Sequence, residues 1–337
     1  MIFRHEVEID PEIEKISEWR RSRFRVLVCI DGSDESYEGI RYAAELAEND
    51  ECDIILLYVR PIDQGLRSGG LQVRVVRQNM LDWGLELPGI QYLKRGLDML
   101  VDPENLVKNW TIHSNHADSW GDPLGDNKIE YKNADGKSIV LKLKTAPEPA
   151  SGILDQYELG PYNLIIMGAP SHWRAEWNSF WGAGVVQKVA AMAPCSVLIA
   201  RKKSEEKKSE EQAGKKGHLI CTDGTAHSME SMCQDAVLAQ TCGHPITLFC
   251  TARAHSAKEE AENILLEAKG MLAEMGVKVS GSIVRVGDPV STIVETGRDF
   301  DVVSVSDSGK SKFKRMLFGS TSFSVMGEAD ASVLNVH

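Results

Sequence analysis

Several signals that would settle the chemistry early are missing from this chain. Its seven cysteines, Cys29, Cys52, Cys195, Cys221, Cys233, Cys242 and Cys250, form no CxxC pair. Scattered thiols, five of them in or beside strand-like runs, favour reduced, buried cysteines over disulfides or zinc. No run of about 18 apolar residues occurs, so no membrane span is expected. Positive charge is in deficit: 38 Lys and Arg stand against 49 Asp and Glu, a net charge of −11. That sign argues against non-specific binding of nucleic acid. There is no Walker loop and no nucleophile elbow. His113, His116 and His172 lack the paired or helical spacing of metal ligands, so no metal site is expected from them. The first 25 residues carry acids and no apolar core of the signal-peptide kind, and a cytoplasmic location is the expectation.

What is present is a long α/β pattern. A length of 337 residues suggests two domains, each large enough for its own core. Residues 1–23 read as an N-terminal extension. Ile9, Ile13, Ile16 and Trp19 recur there at helical spacing, which predicts an amphipathic helix packed on the domain that follows. The first domain spans 24–201. Residues 25–30 are an apolar run of the buried parallel-strand type, ending in Asp31-Gly32-Ser33. Helical periodicity over 36–48 and a second apolar run at 53–59 complete a βαβ unit, which crosses over right-handed into a parallel sheet.

From about 61 to 146 the pattern loosens, and this stretch reads as an insertion. Within it, 129–132 and 138–143 flank Asn133-Ala134-Asp135-Gly136, a hairpin signal. Regular structure then resumes with a helix near 151, a strand at 162–167, a helix at 185–193 and a strand at 195–200. Residues 202–217, charged and without apolar positions, form a solvated linker. The second domain, 218–337, repeats the order. The matches pair 28–33 with 219–225, 55–59 with 246–250, 149–153 with 289–293, 164–168 with 302–306, and 195–199 with 331–335. The fold class that follows is α/β: two tandem, doubly wound, five-stranded parallel-sheet domains. Ligands of such sheets sit at the carboxyl ends of the strands, near the switch in strand order.

The candidate site lies in the second half. The strand ending at Val305-Ser306 runs into Asp307-Ser308-Gly309, a basic loop with Lys310, Lys312, Lys314 and Arg315, and then Gly319-Ser320-Thr321-Ser322 ahead of a helix. Glycines let backbone N–H groups approach a phosphate, and a helix N-terminus adds free donors and the positive end of a dipole. An ordinary glycine turn with an N-cap serine is the plain alternative. Asp223, at the end of the first strand of this half, could hold a ribose hydroxyl or magnesium, or could cap the next helix.

These residues resemble the universal stress protein family, here as a tandem two-domain member. The resemblance covers about 24–60, 147–201 and nearly all of 217–337. Many members bind ATP or AMP through Gly-x-x-Gly, nine residues, then Gly-Ser/Thr. The second half keeps that spacing from Ser306 through Gly309 to Gly319 and Ser320, with serine replacing the first glycine. By this resemblance the cofactor-binding residues are Thr222, Asp223, Cys250 (through its backbone to adenine), Val305, Ser306, Gly309, Gly319, Ser320, Thr321 and Ser322. The loop over 306–322 would hold ATP or AMP, with magnesium at the phosphates. The first half keeps Asp31, Val59 and Gly168, but it has Ser171 for the second glycine, a longer gap to Gly182, and Ala183 for Ser/Thr. Trp173, Trp177 and Trp181 in its loop recur every four residues and read as a packing face.

The resemblance implies a stress-response binding module with a degenerate first site, and at most slow hydrolysis. The last strands of the two halves, 196–200 and 332–336, would pair within one chain as a pseudo-dimer, unless the chain is a homodimer. The alternatives are a nucleotide-free scaffold that binds a protein partner through 61–146, and an ATP-using hydrolase or adenylyl-transfer enzyme.

Overall fold

The computed structural model describes residues 22–49, 52–61, 88–119, 122–158, 161–170, 183–202, 217–306 and 321–336. The N-terminal helix expected over 9–19, the tryptophan-rich segment and the basic loop lie outside them.

The first half begins with β1 (Phe24–Cys29), whose central residues are buried on both faces. In α1 (Asp34–Asn49) Tyr37, Ile40, Ala43 and Leu46 form one buried stripe, and Asp34 and Glu35 in the first turn complement the helix dipole. β2 (Cys52–Pro61) lies parallel to β1, with Val26 opposite Ile54 and Cys29 opposite Leu57. There follow α2 (Pro88–Leu100), α3 (Pro103–Asn109), β3 (Trp110–Ser119), β4 (Asp122–Asn133) and β5 (Ser138–Ala146). Asp102 caps α3, accepting from the Glu104 and Asn105 backbone N–H groups. The anticipated hairpin is the β4–β5 antiparallel pair, with Tyr131 opposite Ile139. Gly136 sits in its turn at φ +82°, in the left-handed region that suits glycine. The half closes with α4 (Pro149–Glu158), β6 (Leu164–Gly168), α5 (Ala183–Met192) and β7 (Ser196–Ala200).

The second half runs β8 (His218–Cys221), α6 (Ala226–Thr241), β9 (Ile246–Ala252), α7 (Lys258–Glu274), β10 (Gly281–Val286), α8 (Pro289–Gly297), β11 (Val302–Ser306), α9 (Thr321–Glu328) and β12 (Ser332–Val336). Among the described residues all the strands join one sheet, ordered β10-β9-β8-β11-β12-β7-β6-β1-β2-β5-β4-β3. Each half therefore contains the same doubly wound parallel order: β5-β2-β1-β6-β7 in the first and β10-β9-β8-β11-β12 in the second. Within 61–146, α2 and β5 hold the places that α7 and β10 hold in the second half. Among the described residues the second half has no counterpart of α3, β3 and β4, which extend the sheet at its first-half edge.

The halves join through β7 and β12, which pair antiparallel with Val197 opposite Asn335, Leu198 opposite Leu334 and Ile199 opposite Val333. One apolar cluster crosses this junction and includes Val197, Ile199, Val303, Val325 and Val333. On the other face Leu198, Val302, Leu334 and Val336 join the core around Ile40 and Leu164. Arg201, 2 % exposed just beyond β7, ties the halves further. Its guanidinium donates to the carbonyls of Ala169, at 2.7 Å, and Pro170 in the first half, and to that of Met326 in α9.

A polar cluster from both halves lies under the same junction. His218 Nδ1 meets Asp235 Oδ1 at 3.1 Å, and its Nε2 meets the Tyr42 hydroxyl at 3.3 Å. Burial holds the Tyr42 hydroxyl protonated, well above its ordinary range. His218 thus bridges Asp235 of its own half and Tyr42 of the other. His244 Nε2 pairs with Glu45 at 2.9 Å.

Leu334 is 1 % exposed and faces Leu198 across the junction. Leu334→Ala should lower the unfolding free energy by about 2–5 kcal/mol. In a urea titration the loss should appear in one transition shared by both halves; two separated transitions would show that they unfold independently.

Candidate functional site

The sheet order reverses direction between β8 and β11. From β8 the chain proceeds to β9 and β10 on one side, then crosses back to β11 on the other. Loops leaving the carboxyl ends of β8 and β11 therefore diverge and leave a crevice. Ile220 pairs with Ser304, so two residues further along each strand Thr222 and Ser306 stand level at its mouth.

The turn after β8 is built by side chains that bond their own backbone. Thr225 donates to Asp223 Oδ1 twice, from its N–H at 3.0 Å and from its hydroxyl at 2.7 Å. Thr225 also caps α6, and Ser228 bonds Thr222 through their hydroxyls at 2.9 Å. Gly224 takes φ +79°, and a Cβ there would lie 2.8 Å from Ile264. Partial burial pushes the Asp223 carboxyl up, but hydrogen bonds from Ser228 and Thr225 outweigh it and hold the group below the usual carboxylate range. An ionised carboxylate thus stands at the crevice, with Thr225 engaging Oδ1.

The first half repeats this turn. Ser33 donates to Asp31 Oδ1 from both its N–H (2.9 Å) and its hydroxyl (2.5 Å), and Gly32 takes φ +90°. Its surroundings differ. Tyr92 lies against the turn so closely that a Cβ on Gly32 would sit 2.7 Å from its ring, and the Tyr58 ring is 5.9 Å from that of Tyr92. Ile264 meets Gly224 as Tyr92 meets Gly32, an aliphatic side chain in place of an aromatic ring. β6 also presses on α1: a Cβ on Gly168 would lie 2.3 Å from the Ser36 backbone nitrogen. Ser306 stands at the equivalent level in the second half and carries the Cβ that Gly168 lacks, so the Asp223 turn cannot close on β11 in the same way.

The structure brings Thr222, Asp223 and Ser306 together at the crevice. Val305, 4 % exposed, packs in the core below it. Thr321 is exposed at the start of α9, and Ser322 beside it is buried. Gly309, Gly319 and Ser320 lie outside the described residues. The Cys250 side chain is buried in the core between β9 and α7, where burial first, and then Asp223 and Glu260, raise its thiol to about 11.

Strand register places Cys250 opposite the role of Tyr58, because Leu57 pairs with Cys29 as Phe249 pairs with Cys221. The counterpart of Val59 is therefore Thr251, one residue later. The sequence reading passed over Thr251, whose hydroxyl meets that of Thr292 at 3.0 Å. In the first half the same two positions are Val59 and Gly152, in apolar contact. Asp288 adds a further acid at this end, capping α8 through the Ser291 N–H at 3.0 Å. Hydrogen bonds from Ser291 hold its carboxyl low.

A doubly wound parallel sheet with a strand-order switch defines the open α/β class of folds, in which the crevice at the switch is the place where ligands sit. Within that class, the universal stress protein family matches residues 23–82 and 219–337, more than half of the sequence, and the chain belongs to that family. Its fold is similar to that of a putative universal stress protein from Pseudomonas aeruginosa (TM-score 0.55, 12 % identity, 94 % of each chain covered). It is also similar to a universal stress protein from Archaeoglobus fulgidus (TM-score 0.52, 15 % identity, 93 % of this chain and 95 % of that one). No curated protein matches the sequence.

The Asp223 shift has a pH signature. A carboxyl whose pKa is lower folded than unfolded contributes stability above its unfolded value of about 3.9, and loses it as pH falls through the folded value. Asp223→Asn should therefore be less stable than the parent near neutral pH in thermal melts. That difference should shrink below about pH 4; a pH-independent difference would assign the loss to shape, not charge.

Proposed function

We propose that the second half binds an adenine nucleotide, ATP or AMP, and that the chain acts as a cytoplasmic, stress-responsive regulatory module. The observation that carries this reading is the ionised Asp223 at the β8–β11 switch point, level with Ser306. Asp223 Oδ2 is the acceptor we assign to a ribose hydroxyl. Membership of the universal stress protein family supports the reading, as do the spacing of Ser306, Gly309, Gly319 and Ser320, and Thr321 at a helix start. Backbone N–H groups of the glycine loop and the α9 N-terminus are suited to phosphate, and magnesium would be held largely by the phosphate oxygens. The Thr251–Thr292 hydroxyl pair gives this end a polar wall that the Val59–Gly152 contact does not.

The first half is read as non-binding, because Ser171 and Ala183 replace the second glycine and the Ser/Thr of the motif and its gap to Gly182 is longer. Nucleotide occupancy would bias the segment from Ser306 to Ser322 and whatever docks beside it.

A second reading, a partner-binding scaffold, draws on α3 and β3, where Val107 is 83 % and Ile112 59 % exposed. Val107→Glu with Ile112→Glu should then abolish capture of a partner while leaving nucleotide affinity intact.

The test begins with the ligand released by heat from gently purified protein, identified by mass spectrometry. About one adenine nucleotide per chain is expected, and two would assign a site to the first half as well. In calorimetric titrations, Asp223→Ala and Gly319→Val should each weaken ATP binding about tenfold or more, as loss of a charge-assisted hydrogen bond or of close backbone approach would. Protein that neither carries nor binds ATP or AMP, with magnesium present, overturns the reading.

A further inference from the structure

Where the two halves meet, a cavity of about 500 Å³ opens on one face of the sheet. Its lining includes Phe24 and Leu46 from the first half and Leu238 from α6, with Leu334 and Val336 from β12. The apolar surface continues outward at Val237, 46 % exposed, and Met275, 48 % exposed. Exposed apolar surface of this kind, continuous with a groove, calls for an occupant.

The chain itself enters the fold at this groove. Phe24 is the first residue of β1, and Arg23 just before it is anchored by Asp53 at 2.9 Å. Residues 9–19, which precede this anchor, carry Ile9, Ile13, Ile16 and Trp19 at the spacing of one helical face. A helix of that length would span about 16 Å, and Trp19 stands only five residues before Phe24. Tethering matters as much as chemistry. A segment attached at the rim faces its groove at an effective concentration in the millimolar range, which a free partner of the same character does not reach.

We propose that this groove is the seat of the chain's own N-terminal segment, with Ile9, Ile13, Ile16 and Trp19 packed against Phe24, Leu46, Leu238 and Val336. Seated there, the segment reaches from β1 of the first half to α6 of the second and fastens the junction from the side opposite Arg201.

Cys233, half-buried on α6, lines the groove and reports on its cover. The rate of maleimide labelling at Cys233 would be read by peptide mass spectrometry, with Cys233→Ser as the control for site assignment. In the full chain, Ile13→Glu combined with Ile16→Glu should raise that rate about tenfold or more, as loss of apolar burial implies. Protein lacking residues 1–20 should label equally fast, and a synthetic peptide of residues 1–21 should restore protection. Labelling rates that match across the parent, the double variant and the truncated protein overturn the proposal. So does a full-length protein that protects Cys233 only at concentrations where it sediments as a dimer, since the occupant is then a second copy. The double variant keeps the test decisive if the truncated protein fails to fold.

Discussion

The antiparallel pairing of β7 with β12 is the constraint on which the rest of the molecule depends. Each half alone would end in a bare, apolar strand edge of the kind that recruits other chains. Pairing the two edges removes both and makes one sheet from two. It also fixes where everything else goes. Because every strand of the duplicated five-stranded order is parallel to its neighbours within a half, reversing direction once at the junction points the carboxyl ends of the halves in opposite directions. The Asp31 and Asp223 turns therefore lie at opposite ends of the sheet. Neither can complete the other's site.

That separation lets the two ends differ without disturbing the shared core. Both turns are built alike, from an aspartate, a left-handed glycine and a hydroxyl residue that donates twice. What lies over them is not alike. At the first end the Tyr92 ring packs on Gly32 and Gly168 lies against the Ser36 backbone; at the second Ile264 packs on Gly224 and Ser306 stands in the place of Gly168. The first half spends its extra chain elsewhere, extending the sheet by β4 and β3 at the far edge. The junction constrains the strands nearest it, and the outermost edge is the position freest to accept additions.

Much of this order is legible in the sequence because buried parallel strands are apolar on both faces. Runs such as Val26-Leu27-Val28 and Ile54-Ile55-Leu56-Leu57 announce themselves without periodicity. The repeat is legible for the same reason, and so is its weakness. Apolar runs hold a register poorly when laid together by eye, and pairing 55–59 with 246–250 set Cys250 against Val59, where strand pairing sets Thr251. β5 reads as one arm of a hairpin because β4 precedes it in sequence, and only the sheet shows that β5 pairs with β2 on its other side as the third strand of the half. β3 lies at an edge, and its Trp110 and Ile112 stand among polar residues, so it leaves no apolar run. The buried His218 is invisible for another reason. Its two partners, Asp235 and Tyr42, are 17 and 176 residues away, and no local pattern encodes a side chain whose polarity is satisfied at that distance.

Ser306 shows how a departure from a motif can be read once neighbours are known. From sequence alone, serine in place of the first glycine weakens a phosphate-loop match. In the structure, the glycine retained at that level in the first half is the residue that lets β6 press directly on the start of α1. A side chain at Ser306 forbids this closure in the second half, and it places a hydroxyl at the crevice mouth where the first half has none. The half that keeps the glycine is thus the half whose strand presses on the helix that follows its turn. The half that lost it holds the ionised Asp223 carboxylate and the Ser306 hydroxyl level with each other at the switch point. A glycine in such a loop permits close approach, and what approaches can be the protein's own backbone as readily as a phosphate.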